Sequence, residues 1–441
     1  MTQPNPYARL YTVPEALAIV LRHAQTLPGQ RVPLNQALGR RLLEAVQADL
    51  DLPPFDKSIV DGYAVRSRDL AADDYRSLKV IEEIHAGQTP QKSLGINQAA
   101  LIMTGAPIPI GADAVVMIEK TETPEPGFVL LSGPVASGLN RITQGREMKA
   151  GDVVIPAGTW LNAARIGVLA SVGAAQVFVQ PKPKVAVLAT GDELVPLDQT
   201  PGPGQIRNSN THLLASLATD HGADVQSFPI TPDRPDLLRQ SFSQALETAD
   251  AVLICGGVSA GKKDFVPEAL EAVGVTNLFH KVKVKPGKPL WFGTGPQRTN
   301  RPPALVFGLP GNPVSGLVSF LLFVRPVLAV MDGCSPSSEP HPEFPLVNDF
   351  RHLDDRDTYR PARLVASDEL GTAIEPLIFA GSSDLRSVAA ADGFAIFPAG
   401  ERIYQRGEKI GILPIVRPQF PLGHSYYTWP TSPASGRNAV T

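Results

Sequence analysis

The chemistry-bearing residues of this chain concentrate between positions 251 and 288. The unbroken apolar run Ala251-Val252-Leu253-Ile254-Cys255 reads as a buried strand and leads into Gly256-Gly257-Val258-Ser259-Ala260-Gly261 and then Asp264. Lys281, Lys283 and Lys285 follow at period two, with Lys288 just past a Pro286-Gly287 break. Glycines let backbone N–H groups approach a ligand closely, and the start of the following helix adds a positive dipole end. Lysines alternating on one strand face repel each other unless something anionic sits among them. The expectation is a site for a phosphorylated or oxyanion ligand.

Two further loops carry polar residues at the ends of strand-like runs. Thr190-Gly191-Asp192-Glu193-Leu194 follows Val185 to Ala189, and Gly308-Leu309-Pro310-Gly311-Asn312-Pro313-Val314-Ser315 leads into a helical pattern. Ligands of open α/β sheets bind outside the carboxyl ends of the strands. Glu193 and Asp264 would then share one edge, where a hard cation such as Mg2+ could bridge them to a phosphate. Each piece alone has a plainer reading: a capped turn, an α/β glycine turn, a solvated strand face, a rigid helix start. Their coincidence at the strand ends of one sheet favours a site. Nearer the N-terminus, Pro53-Pro54-Phe55-Asp56-Lys57-Ser58 and Asp61-Gly62-Tyr63-Ala64-Val65 are dense in charged and aromatic residues, although Asp61-Gly62 by itself reads as a turn.

The elements that must position these residues follow from periodicity. Helices are predicted over Pro14 to Gln25, with Thr12 as N-cap, and over Leu34 to Ala45. Strand-like runs cut by proline and glycine turns (Leu78 to Ile81, Ala99 to Met103, Ala114 to Ile118, Phe128 to Leu131) predict a mostly β unit. After a helix at Ala163 to Val172, a strand at Gln176 to Val179 and the hinge Pro181-Lys182-Pro183-Lys184, strands and helices alternate. Strands are expected at Lys184 to Thr190, Asp224 to Ile230, Ala251 to Cys255, Phe279 to Val284 and Ala304 to Gly308. Helices are expected at Thr211 to Gly222, Pro235 to Thr248, Phe265 to Val273 and from Pro313 onward. Such alternation predicts a largely parallel sheet between helices. Short strands then suggest a small β domain up to about Pro418, followed by a proline- and serine-rich tail with the composition of a disordered segment.

A chain of 441 residues exceeds one ordinary core, so several domains are expected. Forty Lys and Arg against 43 Asp and Glu leave a formal charge of −3, which argues against bulk nucleic-acid or membrane binding. Two cysteines, Cys255 and Cys334, cannot form a disulfide framework and point to a reducing compartment. Met1 to Tyr11 lacks a secretory pattern, and Val314 to Met331, which contains Arg325-Pro326, reads as a buried helix rather than a membrane span. A cytoplasmic protein is expected.

The ordered motifs resemble those of the MoeA family of molybdopterin molybdenumtransferases. They are Pro-Pro-Phe-Asp-Lys-Ser with Asp-Gly-Tyr-Ala-Val, Met103-Thr104-Gly105-Ala106-Pro107, and Thr190-Gly-Asp-Glu-Leu. The series continues through Gly256-Gly257-Val258-Ser259-x-Gly261-x-x-Asp264, Lys285-Pro286-Gly287-Lys288-Pro289 and Leu309-Pro310-Gly311-Asn312-Pro313-Val314-Ser315. The resemblance spans roughly Val13 to Pro414. It implies an elongated homodimer of multidomain α/β plus β architecture. The central parallel-sheet, molybdopterin-binding-like domain would comprise 7–27 and 182–333, and a linker or dimerisation domain 28–47 and 152–181. A mostly β domain would cover 48–151 and a small C-terminal β domain 337–418, with a disordered tail at 419–441.

The implied reaction takes adenylylated molybdopterin and molybdate, releases AMP and leaves molybdenum on the pterin dithiolene, with Mg2+ assisting. Carried over by motif, Glu193, Asp233, Asp264 and Asp61 take catalytic roles, with Glu193 and Asp264 as metal ligands. The substrate-binding set is Thr104, Glu147, Gly256, Gly257, Ser259, Lys281, Lys285, Lys288, Pro310, Arg360 and Ser382. Arg360 and Ser382 match positions that hold molybdate, and Asp61 and Thr104 match positions facing the pocket of the partner subunit. Val60 stands where methionine is usual, Glu147 where aspartate is common, and Cys255 where serine or threonine is common. Contacts with the molybdopterin adenylyltransferase and with cofactor-accepting enzymes are implied, with no nucleic-acid or membrane partner. Alternatives within the resemblance are a tungstate-inserting paralogue and a scaffold of the gephyrin type.

Overall fold

A computed structural model describes residues 9–257, 265–299, 301–334 and 341–416. The chain divides into two compact units, Gly29–Gln180 and the combination of Met1–Pro28 with Pro181–Thr441.

In the Gly29–Gln180 unit a six-stranded sheet runs in the order Ala114–Met117, Gly62–Val65, Gln98–Ile102, Tyr75–Ile84, Phe128–Ser132, Thr121–Glu122. Four of these strands, Ala114–Met117, Gln98–Ile102, Tyr75–Ile84 and Phe128–Ser132, coincide with the predicted runs. Gly62 begins a central strand rather than a turn. Flanked on both sides, it lies so close to the next backbone that a Cβ would meet the Val116 carbonyl oxygen at 2.0 Å. The second core of this unit gathers Val32, Leu42, Val154, Leu161, Leu169 and Val179 around the helix Ala163–Ser171 and the strand pair Gln30–Pro33 with Gln176–Val179.

The helix expected over Leu34 to Ala45 does not form. Only a 3-10 turn, Leu34–Gln36, appears there. Gly39 then adopts φ 70°, and the N–H groups of Gly39, Leu42 and Leu43 donate to the carbonyls of Leu161, Thr159 and Phe178. The apolar spacing mimicked a helix, but tertiary pairing offered these N–H groups better partners than a short helix could.

The other unit holds a six-stranded sheet in the order Asp224–Ser227, Lys184–Ala189, Ala251–Cys255, Leu305–Leu309, Pro289–Thr294, Thr276–Lys281. The first four strands are parallel, and the last two add antiparallel edges. The Pro289–Thr294 strand was not foreseen, so the sheet is parallel only in part. Its central strands, Ala251–Cys255 and Leu305–Leu309, are buried at every position, as strands covered on both faces must be. Helices Asn210–Asp220 and Val13–His23 pack on one face, Pro235–Thr248 and Val266–Ala272 on the other. Thr12 caps Val13–His23 in a capping box with Glu15, as its position predicted. Pro313–Met331 is apolar and long enough to cross a membrane, yet it is mostly buried within the fold, with a π-helical turn at Phe320–Val324.

The predicted strand Phe279 to Val284 breaks. The first sheet releases the chain after Lys281, and Val284–Lys285 instead pairs in parallel with Asp357–Ser367. That second sheet, in the order Val284–Lys285, Asp357–Ser367, Gly393–Phe397, Lys409–Pro414, Glu343–Pro345, carries Gly371–Pro376 on its long strand. Lys281, Lys283 and Lys285 therefore do not alternate along one strand face. The local reason is backbone pairing: Lys283 N–H donates to the Tyr11 carbonyl and Val282 N–H to that of Lys288, which turns the chain between the two strands. The tail beyond Pro418 lies outside the described residues.

Candidate active site

Three adjacent parallel strands, Lys184–Ala189, Ala251–Cys255 and Leu305–Leu309, end together, and Thr190, Gly256–Gly257 and Pro310, which begin the three predicted loops, meet there. Thr190 N–H donates to the Cys255 carbonyl at 3.0 Å, and Gly256 N–H to that of Leu309 at 3.3 Å. Gly256 (φ 96°) lies so near the first loop that a Cβ would sit 2.4 Å from the Thr190 carbonyl oxygen. At Gly257 (φ 64°) a Cβ would lie 2.4 Å from Val266 Cγ2. The two glycines therefore serve both conformation and close approach. Cys255 donates to the Pro310 carbonyl at 3.5 Å, and burial pushes its thiol up to about 12, so it stays protonated and packs as a small apolar group.

Glu193 and Asp233, far apart in sequence, come together. A parallel bridge between Thr190 and Thr231 aligns their loops, and Asp233 N–H donates to Asp192 Oδ1 at 3.2 Å. Gly191 (φ 145°) lets the Glu193 carboxylate fold back, because a Cβ at that position would lie 2.5 Å from Oε2. Partial burial, and then the charges of Asp192 and Glu193, hold the Asp233 carboxyl above the ordinary aspartate range. None of the three carboxylates has an ion-pair partner among the described residues. Beside them opens a cavity of about 610 Å3 lined by Asp192, Leu194, His212, Phe228, Ile230 and Pro232 among others, a size suited to a small organic ligand.

This electrostatics has a testable sign. With a raised pKa, Asp233 binds more protons in the folded than in the unfolded chain between the ordinary aspartate value and its own. Its contribution to stability is complete below the ordinary value and is lost as pH rises through the raised one. Asp233→Asn is expected to raise Tm at neutral pH and to leave it unchanged at strongly acidic pH. A lower Tm at neutral pH would contradict the repulsion.

The cationic candidates lie in the same unit. Lys285 Nζ bonds Asp354 Oδ2 at 2.7 Å. Register places Lys285 opposite Thr358, hence on the sheet face that also carries Arg360 two residues on. Burial lowers the Arg360 pKa, and its Nε donates to the Leu377 carbonyl at 3.1 Å. The Ser382 carbonyl accepts Val314 N–H at 3.0 Å, which sets its loop against the start of the Pro313–Ser319 helix beside the buried Pro310. Lys281 ends its strand and Lys288 is exposed past the turn.

In the Gly29–Gln180 unit, Thr104 donates from both N–H and Oγ1 to Asp61 Oδ1, at 2.7 and 2.8 Å, and these bonds hold the Asp61 pKa down. Glu147 Oε1 lies 3.9 Å from Lys57 Nζ. Asp264 and Ser259 lie outside the described residues. Sequence reasoning passed over Asp192 and Asn210. The Asn210 Nδ2 donates to the Gly311 carbonyl at 2.7 Å and ties the helix Asn210–Asp220 to the third loop. Asp192 could have been found from its place beside Glu193, whereas Asn210 looked like any polar residue at a helix start.

Comparison with known proteins covers almost the whole chain. Three family profiles match in order: the MoeA N-terminal region (domains I and II) over residues 11–173, a probable molybdopterin-binding domain over 186–330, and the MoeA C-terminal region (domain IV) over 344–415. A molybdopterin molybdenumtransferase of Nostoc sp. is 37% identical over 93% of this chain and 95% of its own. One from Staphylococcus aureus is 34% identical over 91% and 94%. Two crystal structures of a molybdopterin biosynthesis MoeA protein from Pyrococcus horikoshii, each 30% identical, cover 92% of this chain and 99% of theirs, with TM-scores of 0.74 and 0.66.

Proposed function

Since this chain belongs to the MoeA family, we propose that it is a molybdopterin molybdenumtransferase that inserts molybdate into adenylylated molybdopterin with release of AMP. The observation that carries this reading is the meeting of the Thr190, Gly256 and Leu309 loops beside the carboxylates of Glu193 and Asp233. Breaking a phosphoanhydride requires compensation of charge on the phosphates, and receiving molybdate requires cations arranged for an oxyanion.

The carboxylate set fits a divalent cation such as Mg2+. Among the described residues no three His, Cys, Asp or Glu side chains converge as a complete ligand shell. Mg2+ takes one or two protein carboxylates and completes its coordination with water and substrate phosphates. Glu193 would hold it together with Asp264. A cation held there would supply compensation of the phosphate charge during cleavage of the anhydride. Asp192 anchors the Asp233 loop by accepting its backbone N–H, and Asp233 can hold or release a proton beside the phosphates. The Gly256–Gly257 turn, its first N–H held by the Leu309 carbonyl, lets the anhydride approach the strand ends closely. Lys281, Lys285, Lys288, Arg360 and Ser382 receive the oxyanion. The family resemblance implies a homodimer, with Asp61 and Thr104 of one copy facing the pocket of the next, and composition points to the cytoplasm.

The test is incubation of the purified protein with adenylylated molybdopterin, Mg2+ and molybdate, following AMP release and metal incorporation. Both are expected, and both should fail without the divalent ion. Absence of AMP release from a folded protein would overturn the reading, and a tungstate arm distinguishes the preferred oxyanion.

A further inference from the structure

One strand bears on both cations assigned to the oxyanion. Lys285, Thr358 and Phe397 stand side by side in register across the second sheet, and Arg360 shares their face. The strand Phe350–Asp354, paired to Gly400–Tyr404, presents its alternate residues Phe350, His352 and Asp354 to that face. The Phe350 ring stacks on Phe397 at 4.2 Å between centroids, and His352, only 4% exposed, stacks on it at 5.8 Å. At one end the Arg360 guanidinium carbon lies 5.3 Å from the Phe350 ring centroid. At the other, Asp354 holds the Lys285 ammonium at 2.7 Å.

We propose that the strand Phe350–Asp354 is the frame that positions the oxyanion-binding cations, with Asp354 fixing Lys285 and Phe350 fixing Arg360. The inference rests on the reading of Lys285 and Arg360 given above. Asp354 is the fixed member of its pair. Its side chain is 11% exposed against 51% for lysine, and its second oxygen accepts both Arg356 N–H and Arg356 Nε at 3.1 Å. A lysine on a flexible four-carbon stem loses much rotamer freedom when it binds a ligand, and a tether already in place removes part of that cost. Only the lysine end of the pair is half exposed, so the tether itself contributes little to folding, while the Arg356 bonds of Asp354 carry the structural share; the tether is therefore read in oxyanion affinity. Phe350 acts through the guanidinium plane, which packs on its ring face.

The experiment titrates molybdate calorimetrically into the full-length protein and compares Lys285→Ala, Asp354→Asn, Asp354→Glu, Phe350→Leu and the double variant Lys285→Ala/Asp354→Asn. Asp354→Asn is expected to weaken molybdate binding about fivefold with a small fall in Tm, since Asn keeps the size and an acceptor oxygen, and Asp354→Glu to recover part of the lost affinity. The double variant should bind no more weakly than Lys285→Ala alone, because Asp354 acts through the lysine. Phe350→Leu should weaken binding about twofold. Parent-like or tighter binding by Asp354→Asn beside a weakened Lys285→Ala overturns the frame alone, as would additive losses in the double variant. Parent-like binding by Lys285→Ala overturns the reading of Lys285 and the frame with it.

Discussion

Glu193→Gln is expected to reduce AMP release by about a hundredfold to a thousandfold while leaving the fold intact, the scale seen when a group that neutralises developing charge is removed from a site. Glu193 is exposed in the turn before Leu194–Val195, has no ion-pair partner among the described residues, and packs into none of the core clusters of its unit, so the amide costs little in folding. What it removes is one charge of a set that already repels itself, as the raised Asp233 records. If that charge serves a divalent cation, the variant should also need more Mg2+ to reach half-maximal AMP release. Single-turnover AMP release across a Mg2+ titration, with thermal unfolding as the control, measures both effects. A native rate at native Mg2+ demand would remove Glu193 from the site.

Gly256→Ala should damage the protein by another route, through the backbone that brings the loops together. The residue sits at φ 96°, which costs an L side chain about 1–2 kcal/mol. Its new Cβ would also lie 2.4 Å from the Thr190 carbonyl oxygen, a backbone atom that cannot swing aside as a side chain would. Together these predict a loss of about 3–5 kcal/mol, a large share of the stability of an ordinary domain. Relief by moving the Thr190 loop would separate the glycine turn from Glu193, so AMP release should fall even in molecules that stay folded. Gly204→Ala is the control: φ is 78°, but nothing lies within 4 Å of the added atom, so only the conformational cost of about 1 kcal/mol remains. Denaturant unfolding of both variants decides the matter. Equal losses would mean that the close approach at Gly256 carries no energetic weight.

The third loop shows why these contacts were only partly legible. Leu309-Pro310-Gly311 was recognisable as a rigid helix entry, but its tie to Asn210 spans a sequence separation of 101 residues. Glu193 and Asp233 were each named from their motifs. Their convergence depends on the Thr190–Thr231 bridge, which follows from the parallel pairing of Lys184–Ala189 with Asp224–Ser227. The lysine row gives the opposite lesson. Its period-two spacing was real, but the chain changes sheets within it, and Lys285 answers to Asp354 across 69 residues rather than to its sequence neighbours. The absent helix at Leu34 to Ala45 failed for the same reason, since its N–H groups are claimed by Thr159, Leu161 and Phe178.

By itself, the sequence determined the order and type of most elements, the family, and the residues able to handle phosphate and oxyanion. Those properties are local: apolar periodicity, turn chemistry and motif spacing act within a few residues of one another. Only the tertiary structure decided which carboxylates repel, which carboxylate tethers Lys285, and which strand underlies Arg360. Strand register and sheet order set those distances. Both result from pairing between distant segments, whose energy depends on partners that no single stretch of chain contains.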